Sequence, residues 1–294
     1  MWSKNKKYLL AISGGPDSMF LLNKYKNKRI IVAFVNYNQR NNSFIDQEIV
    51  ERFCLKHNIS LKKLILKKED FKGGNFQNWA RSVRYDFFFK AAKENQIQTI
   101  ITAHHKDDFL ETCFMQERKN KVVNYWGIKK INTINGFTIL RPLLHRYFKN
   151  KILSFNKKHN IDFALDYTNE QTKYQRNSIR KILINKTKIY KEILFWKYQL
   201  KNIFLYLKNK KEEKEFLKWE KSKFSQDIFE NLHFQENLVY RFVHSYFVDV
   251  NLSKDKIASI ISFIKSKNRT SKYKLKNNTF IVKKRGFLIS DYAN

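Results

Sequence analysis

Only two cysteines, two prolines and seven glycines occur in this chain of 294 residues, and its 26 acidic side chains are outnumbered by 59 basic ones. Each scarcity excludes something. Cys54 and Cys113 are far apart and form no CxxC, which argues against a disulfide framework or a metal knuckle and makes a reducing cytoplasm the expected setting. Lysine interrupts every apolar stretch, so no run approaches the roughly 18 apolar residues of a membrane span. The basic start, Met1 to Lys7, leads into an apolar stretch cut short by Gly14, Gly15, Pro16 and Asp17, which reads as a strand entering a loop and not as a signal peptide. Hydrophobic residues make up 43% of the chain, enough for a globular core rather than a disordered polymer.

The formal charge of +33 has two readings. One is a polyanionic partner, most simply nucleic acid, drawn in by long-range attraction and counterion release. The other is compositional drift, because a chain rich in Lys, Asn, Ile and Phe carries lysine everywhere regardless of partner.

The first half alternates short apolar runs with amphipathic stretches, the pattern of βαβ units around a parallel sheet. Tyr8–Ile12, Arg29–Val35, Leu61–Leu66 and Thr99–Ala103 read as strands, and Asp17–Tyr25, Ser43–His57 and Asn75–Asn95 as helices. In the last helix Trp79, Val83 and Phe87 share one face. Beyond about residue 180 the pattern turns helical, with Ile189, Ile193, Trp196, Leu200, Ile203, Phe204 and Leu207 on one amphipathic segment. Lys208–Lys214 reads as a solvated turn or helix end. Helices are expected over Gln235–Phe247 and, behind Ser253 as N-cap, over Lys254–Lys265. Tyr273 to Ser290 reads as short strands joined at Asn277–Asn278 and at Arg285–Gly286. The expected architecture is α/β: a parallel-sheet domain over residues 1–185, then a smaller, mainly helical domain over 186–294 ending in a short β element.

The strongest chemical signal is Ser13-Gly14-Gly15-Pro16-Asp17-Ser18, between a strand and a helix. Two glycines let the backbone bend and approach an anion, and the helix N-terminus supplies positive potential. Ser13 and Ser18 add hydroxyls; Asp17 beside an anion site calls for a metal ion or a hydrogen bond to the loop. The bland alternative is an ordinary Gly-Pro turn.

This SGGPDS segment resembles the SGGxDS pyrophosphate loop of the N-type ATP pyrophosphatases, the PP-loop superfamily, which split ATP between its α and β phosphates and adenylate an oxygen. Three further segments resemble the tRNA(Ile)-lysidine synthetases within it. Gln77 to Tyr85 is similar to E-x-x-AR-x-x-RY, and Thr102 to Thr112 to the HHxDDxxET block. Asp166-Tyr167-Thr168-Asn169 with Arg176-Asn177-Ser178-Ile179-Arg180 is similar to D-x-[ST]-N…RN-x-[IL]R. Arg141-Pro142-Leu143-Leu144 matches a fourth stretch.

The resemblance implies ATP and Mg²⁺ as cofactors, with Ser13, Gly14, Gly15, Pro16, Asp17 and Ser18 holding ATP. Asp17, His104, Asp108 and Arg81 are the implied catalytic group, with Asp108 holding the metal. Arg84, Asp166, Asn169, Arg176, Asn177 and Arg180 are implied to meet lysine and tRNA. Without the resemblance, Arg81 and Arg84 also read as surface charges, the histidine pair as structural, and the later cluster as a salt-bridge network. The implied reaction transfers AMP to the C2 oxygen of the wobble cytidine in a CAU-anticodon isoleucine tRNA. Free L-lysine then attacks C2 and expels AMP. No membrane is implied, and oligomeric state is open.

The chain departs from the family pattern in four places. Phe34-Val35-Asn36-Tyr37-Asn38-Gln39-Arg40 replaces H-x-N-H-x-x-R, losing both histidines, so either no histidine chemistry is needed there or Tyr37 supplies only its hydrogen bond. Gln77 replaces a glutamate. Glu117 to Ile128 keeps only Gly127-Ile128 of a glycine-rich turn, and the chain is short after 185. Competing readings are a PP-loop tRNA thiolase, for which Cys54 and Cys113 would have to be reactive, a catalytically silent RNA-binding protein of the same fold, and an amide-forming synthetase acting on small molecules.

Overall fold

The computed structural model describes residues 6–39, 43–119, 123–164, 175–247, 250–276 and 279–290, the side chains of 175–177 and 290 excepted. Two compact units are present, Met1–Lys201 and Asn202–Asn294.

The first unit is built on a mostly parallel sheet. Its elements are β1 (Tyr8–Ile12), α1 (Pro16–Tyr25), β2 (Ile30–Asn36), α2 (Ser43–Lys56), β3 (Ser60–Ile65), α3 (Phe76–Glu94), β4 (Thr99–Ile101), α4 (Lys106–Arg118), β5 (Ile131–Ile134), β6 (Phe137–Leu140), α5 (Lys149–Lys158) and α6 (Gln175–Ile184). Strand order is β3-β2-β1-β4-β6-β5. All neighbours are parallel except the β5–β6 hairpin, whose β5 is an antiparallel edge.

The central strands are apolar because both faces are covered. Leu9 and Leu10 point to opposite faces of β1 and are fully buried, Leu9 with Ile31, Ala33 and Phe88, Leu10 with Leu21, Leu22 and Val32. Each such leucine contributes about 1.5–3 kcal/mol. β3, at the other edge, carries Lys62 and Lys63, and Lys63 meets Glu51 at 2.6 Å. Edge lysines of this kind discourage pairing with another chain. Asn75 caps α3 by accepting from the Asn78 amide at 3.1 Å.

The hairpin was not expected from the sequence, although its turn is an Asn-Gly pair, Asn135 (φ 48°) and Gly136 (φ 80°), as a two-residue turn requires. The long helix α7 (Lys188–Lys221) corrects another expectation. Lys208–Lys214 lies inside it and neither turns nor ends it. Lys and Glu are good helix formers, and Lys208 pairs with Glu212 one turn on at 3.6 Å. In the first unit the buried face of α7 is not the one marked by Ile189, Ile193 and Trp196. There α7 buries Lys191, Phe195 and Tyr198, leaving Ile189 73% and Trp196 61% exposed.

The two units divide at Lys201/Asn202, within α7. The second unit contains the end of α7, α8 (Gln226–Glu230), α9 (Gln235–Tyr246), α10 (Lys254–Lys265) and the antiparallel sheet β7 (Ser271–Lys276), β8 (Thr279–Lys284) and β9 (Phe287–Ser290). Trp219 is the centre of its core, against Phe229, Phe242 and Phe224. The β8–β9 turn falls at Arg285–Gly286 as expected; Asn277–Asn278 lie outside the described residues. Among the described residues no helix is long and apolar enough to cross a membrane.

Candidate functional site

The site lies where β1 delivers the chain to α1, at the carboxyl edge of the parallel strands. Gly14 has φ +80°, and a Cβ there would stand 2.8 Å from the Asp46 carbonyl oxygen of α2. Glycine is needed both for that conformation and for that approach. Gly15 is the N-cap of α1, with φ −72° and ψ 166°, and Pro16 fills the first helical position, where a missing N–H costs nothing. The first-turn amides of a helix lack intrahelical acceptors, so this terminus is suited to an anion.

Ser18 shapes the loop. Its hydroxyl donates to the Gly15 carbonyl at 2.8 Å and accepts from the Ser13 amide at 3.2 Å, while the Ser13 hydroxyl donates to it at 3.3 Å. The loop is braced from outside by Asn156, which donates to the Pro16 carbonyl, and by the Ala164 amide, which donates to Gly14.

Facing the loop is the N-terminus of α4, where the structure assembles a charge cluster. Asp17 is held by Lys149 Nζ at 2.5 Å and lies 3.5 Å from His105 Nε2. The same imidazole lies 3.5 Å from Asp108 and, through Nδ1, 3.6 Å from Asp107. Asp108 also accepts from the His105 amide at 2.9 Å, closing the first turn of α4. Burial alone would drive the His105 proton off, but Asp108, Asp17 and Asp107 outweigh it and raise the imidazole to about 9. Burial likewise pushes the Asp17 carboxyl up, and the His105 and Lys149 charges reverse this, holding it below its ordinary value. His105 is therefore cationic at neutral pH, within reach of the phosphate loop through Asp17.

The sequence singled out His104, not His105. In the structure His104 Nδ1 lies 2.8 Å from Thr102 Oγ1, and the residue brought to Asp17 and Asp108 is its neighbour. Lys149 and Lys191 were missed as well. Lys149 carries no motif; Lys191 Nζ donates to Asp107 at 2.9 Å, and the Lys149 amide donates to the other Asp107 oxygen at 2.8 Å. Arg180 forms a fork on Glu111, with Nε donating to Oε1 at 2.8 Å and Nη2 to Oε2 at 3.4 Å. Burial would loosen the Arg180 proton, but Glu111, with Asp108 and Asp17 behind it, raises its pKa. Arg180 thus belongs to the same field as the loop.

On the other side, Arg81 and Arg84 are exposed on α3. Arg81 sits 4.9 Å from the centre of the Tyr85 ring, and Arg84 Nε donates to the Tyr37 hydroxyl at 3.1 Å. That hydroxyl donates in turn to the Ala80 carbonyl at 2.7 Å, so Tyr37 does supply a hydrogen bond where the family pattern has histidine. Asn36 is buried on Ser43 and Gln47, and Gln77 is exposed. The altered turn after α4 folds back on that helix: Gln116 accepts from the Gly127 amide at 2.7 Å and donates to the Tyr125 carbonyl at 3.0 Å. Arg40, Asp166 and Asn169 lie outside the described residues, as do the side chains of Arg176 and Asn177.

Both cysteines are buried, and burial raises both thiols, Cys54 to about 12. Among the described residues no three His, Cys, Asp or Glu side chains stand in metal-holding geometry. Magnesium needs less: one or two carboxylates beside substrate phosphates suffice. Asp17 and Asp108 offer two such carboxylates; Asp17 Oδ1 is buried, with no hydrogen bond among the described residues and the His105 ring 3.5 Å away.

A family model described as the PP-loop domain matches residues 2–187. The chain is 42% identical over 276 residues to the tRNA(Ile)-lysidine synthase of Mycoplasmopsis pulmonis, covering 94% of this chain and 96% of that one. It is 40% identical over 281 residues to the tRNA(Ile)-lysidine synthase of Mesomycoplasma hyopneumoniae, covering 95% and 94%. Among solved structures, the U34-tRNA thiolase NcsA of Methanococcus maripaludis superposes with a TM-score of 0.54 at 17% identity, over 67% of this chain and 72% of that one, a likeness of fold alone.

Proposed function

The chain belongs to the tRNA(Ile)-lysidine synthase family of PP-loop proteins, and from that premise we propose that it ligates free L-lysine to C2 of the wobble cytidine in a CAU-anticodon isoleucine tRNA, at the expense of ATP. The observation that carries this reading is the Ser13–Ser18 loop with a cationic cluster, His105 and Lys149, braced against its aspartate.

The chemistry has two steps. The C2 oxygen of the cytidine attacks the α-phosphorus of ATP, the bond to the β-phosphate oxygen breaks, and pyrophosphate leaves. The ε-amine of lysine then attacks C2, the C2–O bond breaks, AMP departs with that oxygen, and the amine loses a proton. Adenylation is needed because the cytidine oxygen is by itself a poor leaving group. The protein's part is positioning and charge stabilisation.

In this reading the amides of the Ser13–Ser18 loop and the α1 N-terminus hold the β and γ phosphates, with Lys149 alongside. Arg81 and Arg84 face the triphosphate or an RNA phosphate. Asp108 and Asp17 would hold Mg²⁺, which supplies neutralising charge to the phosphate oxygens. Arg180 screens the carboxylates Glu111, Asp108 and Asp17 from the incoming anions. Asp166, Asn169, Arg176 and Asn177 complete the lysine and tRNA contacts. The target base must leave its stack to reach the loop, which an unpaired anticodon base does at low cost. Thiol transfer fits poorly, because both thiols are buried and held protonated.

The test is pyrophosphate release from ATP with CAU isoleucine tRNA or methionine tRNA, each with and without lysine. The reading expects release with the isoleucine tRNA, and a gain in base mass equal to lysine less water. A sulfur-sized gain, or equal release with methionine tRNA, would overturn it.

A further inference from the structure

Four aromatic side chains gather past the carboxyl end of β2 and belong to none of the hydrophobic cores. Tyr37 meets Phe76 at 5.9 Å and Trp79 at 6.1 Å between ring centres. Phe71 meets the same two rings at 5.3 and 5.2 Å, and Phe76 lies 5.6 Å from Trp79. All four are half-buried, and none packs within the clusters that fill the sheet faces or the second unit. Aromatic side chains dominate burial energetics, so four of them held at a surface outside every core call for an explanation.

Their position supplies one. Tyr37 immediately follows β2, and Phe34 of β2 pairs with Ile12, the last residue of β1. Tyr37 and the Ser13–Ser18 loop therefore leave adjacent parallel strands, about 5 Å apart, at the same edge, and Phe71, Phe76 and Trp79 gather on the Tyr37 side from the loop after β3 and the start of α3. Tyr37 also takes up the Nε of Arg84, whose guanidinium lies 5.8 Å from the Tyr37 ring centre. Among the described residues the two terminal nitrogens of Arg84 meet no acceptor, which leaves the outer fork for an oxyanion. A π-surface and a guanidinium fork side by side match one ligand chemistry, a nucleotide, with a flat base and a phosphate. The excess of 59 basic over 26 acidic residues favours a polyanion that carries many of them.

We propose that Tyr37, Phe71, Phe76 and Trp79 form a stacking platform for an unpaired nucleotide of the RNA substrate other than the one modified, with Arg84 on its phosphate. The inference rests on the reading of the chain as a tRNA-modifying ligase and adds a second point of hold. One nucleotide stacks on the platform while its neighbour in the same loop enters the phosphate site. Tyr37 thereby acts as a positioning residue, fixing Arg84 through its hydroxyl.

The experiment measures affinity for the CAU isoleucine tRNA and for a hairpin of its anticodon arm, with wild type, Trp79→Ala, Trp79→Phe and Arg84→Gln. Thermal melting checks the fold of each, and Phe76→Leu replaces Trp79→Ala should that variant unfold. Trp79→Ala should weaken both RNAs by about 5- to 100-fold without changing the salt dependence, and Trp79→Phe should recover most of the loss. Arg84→Gln should reduce the salt slope by roughly one phosphate contact. Abasic substitution at each unpaired loop nucleotide then completes a double-mutant cycle: at one position the loss seen with wild type should disappear in Trp79→Ala. Losses that add at every position, or wild-type affinity in Trp79→Ala, would overturn the platform. Failure of the wild type to release pyrophosphate with this tRNA and lysine would instead overturn the ligase reading, so the two failures are separable.

Discussion

Gly14 and Gly15 are adjacent, yet the structure assigns them different work, and substituting each by alanine separates folding from ligand approach. At Gly14 the added Cβ would stand 2.8 Å from the Asp46 carbonyl oxygen and 2.9 Å from its Cα and Cβ, on a backbone with φ +80°. The left-handed conformation costs alanine about 1 kcal/mol more than glycine. Forcing a methyl against the backbone of α2 adds about 1–3 kcal/mol of overpacking. Gly14→Ala should therefore lose roughly 2–4 kcal/mol. At Gly15 the backbone is ordinary at φ −72°, and the nearest atom to a new Cβ is Ser13 Oγ at 3.7 Å. Alanine there gains less than about 1 kcal/mol from a stiffer unfolded chain and loses a similar amount as a poorer N-cap. Gly15→Ala should fold like wild type, while its methyl stands where phosphate must approach the amides. Hydrogen exchange over residues 13–25 reads the local stability, and ATP-dependent pyrophosphate release reads the site. Equal protection of α1 in Gly14→Ala and wild type, or a Gly15→Ala protein as unstable as Gly14→Ala, would refute the account of the loop.

The His105 cluster predicts a pH dependence with a definite sign. The folded-state pKa of about 9 lies above the ordinary 6.5, so the stabilisation is fully present below pH 6.5 and is lost as pH rises through about 9. It amounts to at most about 3 kcal/mol, shared among Asp108, Asp17 and Asp107, and hydrogen exchange over 99–118 in the ligand-free protein should show this decline in wild type but not in His105→Gln. Asp108→Ala should abolish adenylation while leaving tRNA affinity within about threefold, a difference of well under 1 kcal/mol; turnover like wild type would remove Asp108 from the site. Lys149→Met should weaken ATP use at least tenfold with little loss of stability, whereas Lys191→Met, which leaves a buried Asp107 oxygen unpaired, should cost about 3 kcal/mol of stability. Chemical denaturation alongside steady-state kinetics distinguishes these two lysines, and similar behaviour of both would contradict their different burial.

Much of the fold was legible because the sequence states it locally. β1 to β4 and α1 to α3 fall within a residue or two of the segments read from apolar runs and periodicity. The β5–β6 hairpin escaped because its strands have four residues each, although the Asn135–Gly136 turn was there to be read. The length of α7 was misjudged at Lys208–Lys214, because a run of charged helix formers does not say whether a solvated helix ends there or continues. The bend of the Ser13–Ser18 loop was legible, since Gly14 is demanded by local geometry. The cluster around it was not. In sequence His104 and His105 are equivalent, and the extended backbone of His105 at the N-cap of α4, φ −125°, turns only the second toward Asp17. Lys149 is one of 59 basic residues, and nothing local distinguishes it. Arg180 and Glu111 are 69 residues apart, so only the tertiary fold could pair them.

The balance of charge in that cluster explains how one site can both hold itself together and receive a polyanion. Among the described residues, the four carboxylates Asp17, Asp107, Asp108 and Glu111 meet the four cations His105, Lys149, Lys191 and Arg180. The inner part is closed to solvent: the His105 side chain is 6% exposed, and the Lys191–Asp107 pair is 7% and 9%. The outer part is the Lys149–Asp17 pair, 34% and 27% exposed, whereas Arg180, itself 34% exposed, holds Glu111, which is only 2% exposed. A buried pair cannot exchange partners without stranding a desolvated charge, which costs several kcal/mol. A partly solvated pair can, because water covers the carboxylate that is released. The inner charges, Glu111 under Arg180 among them, therefore act as fixed supports, and the outer Lys149 is the one able to turn from carboxylate to phosphate. Asp17, freed on one oxygen as Lys149 turns, is then the carboxylate best placed to receive the divalent cation that accompanies the nucleotide. In the proposed reading, that is the reason an aspartate stands inside a loop otherwise built for anions.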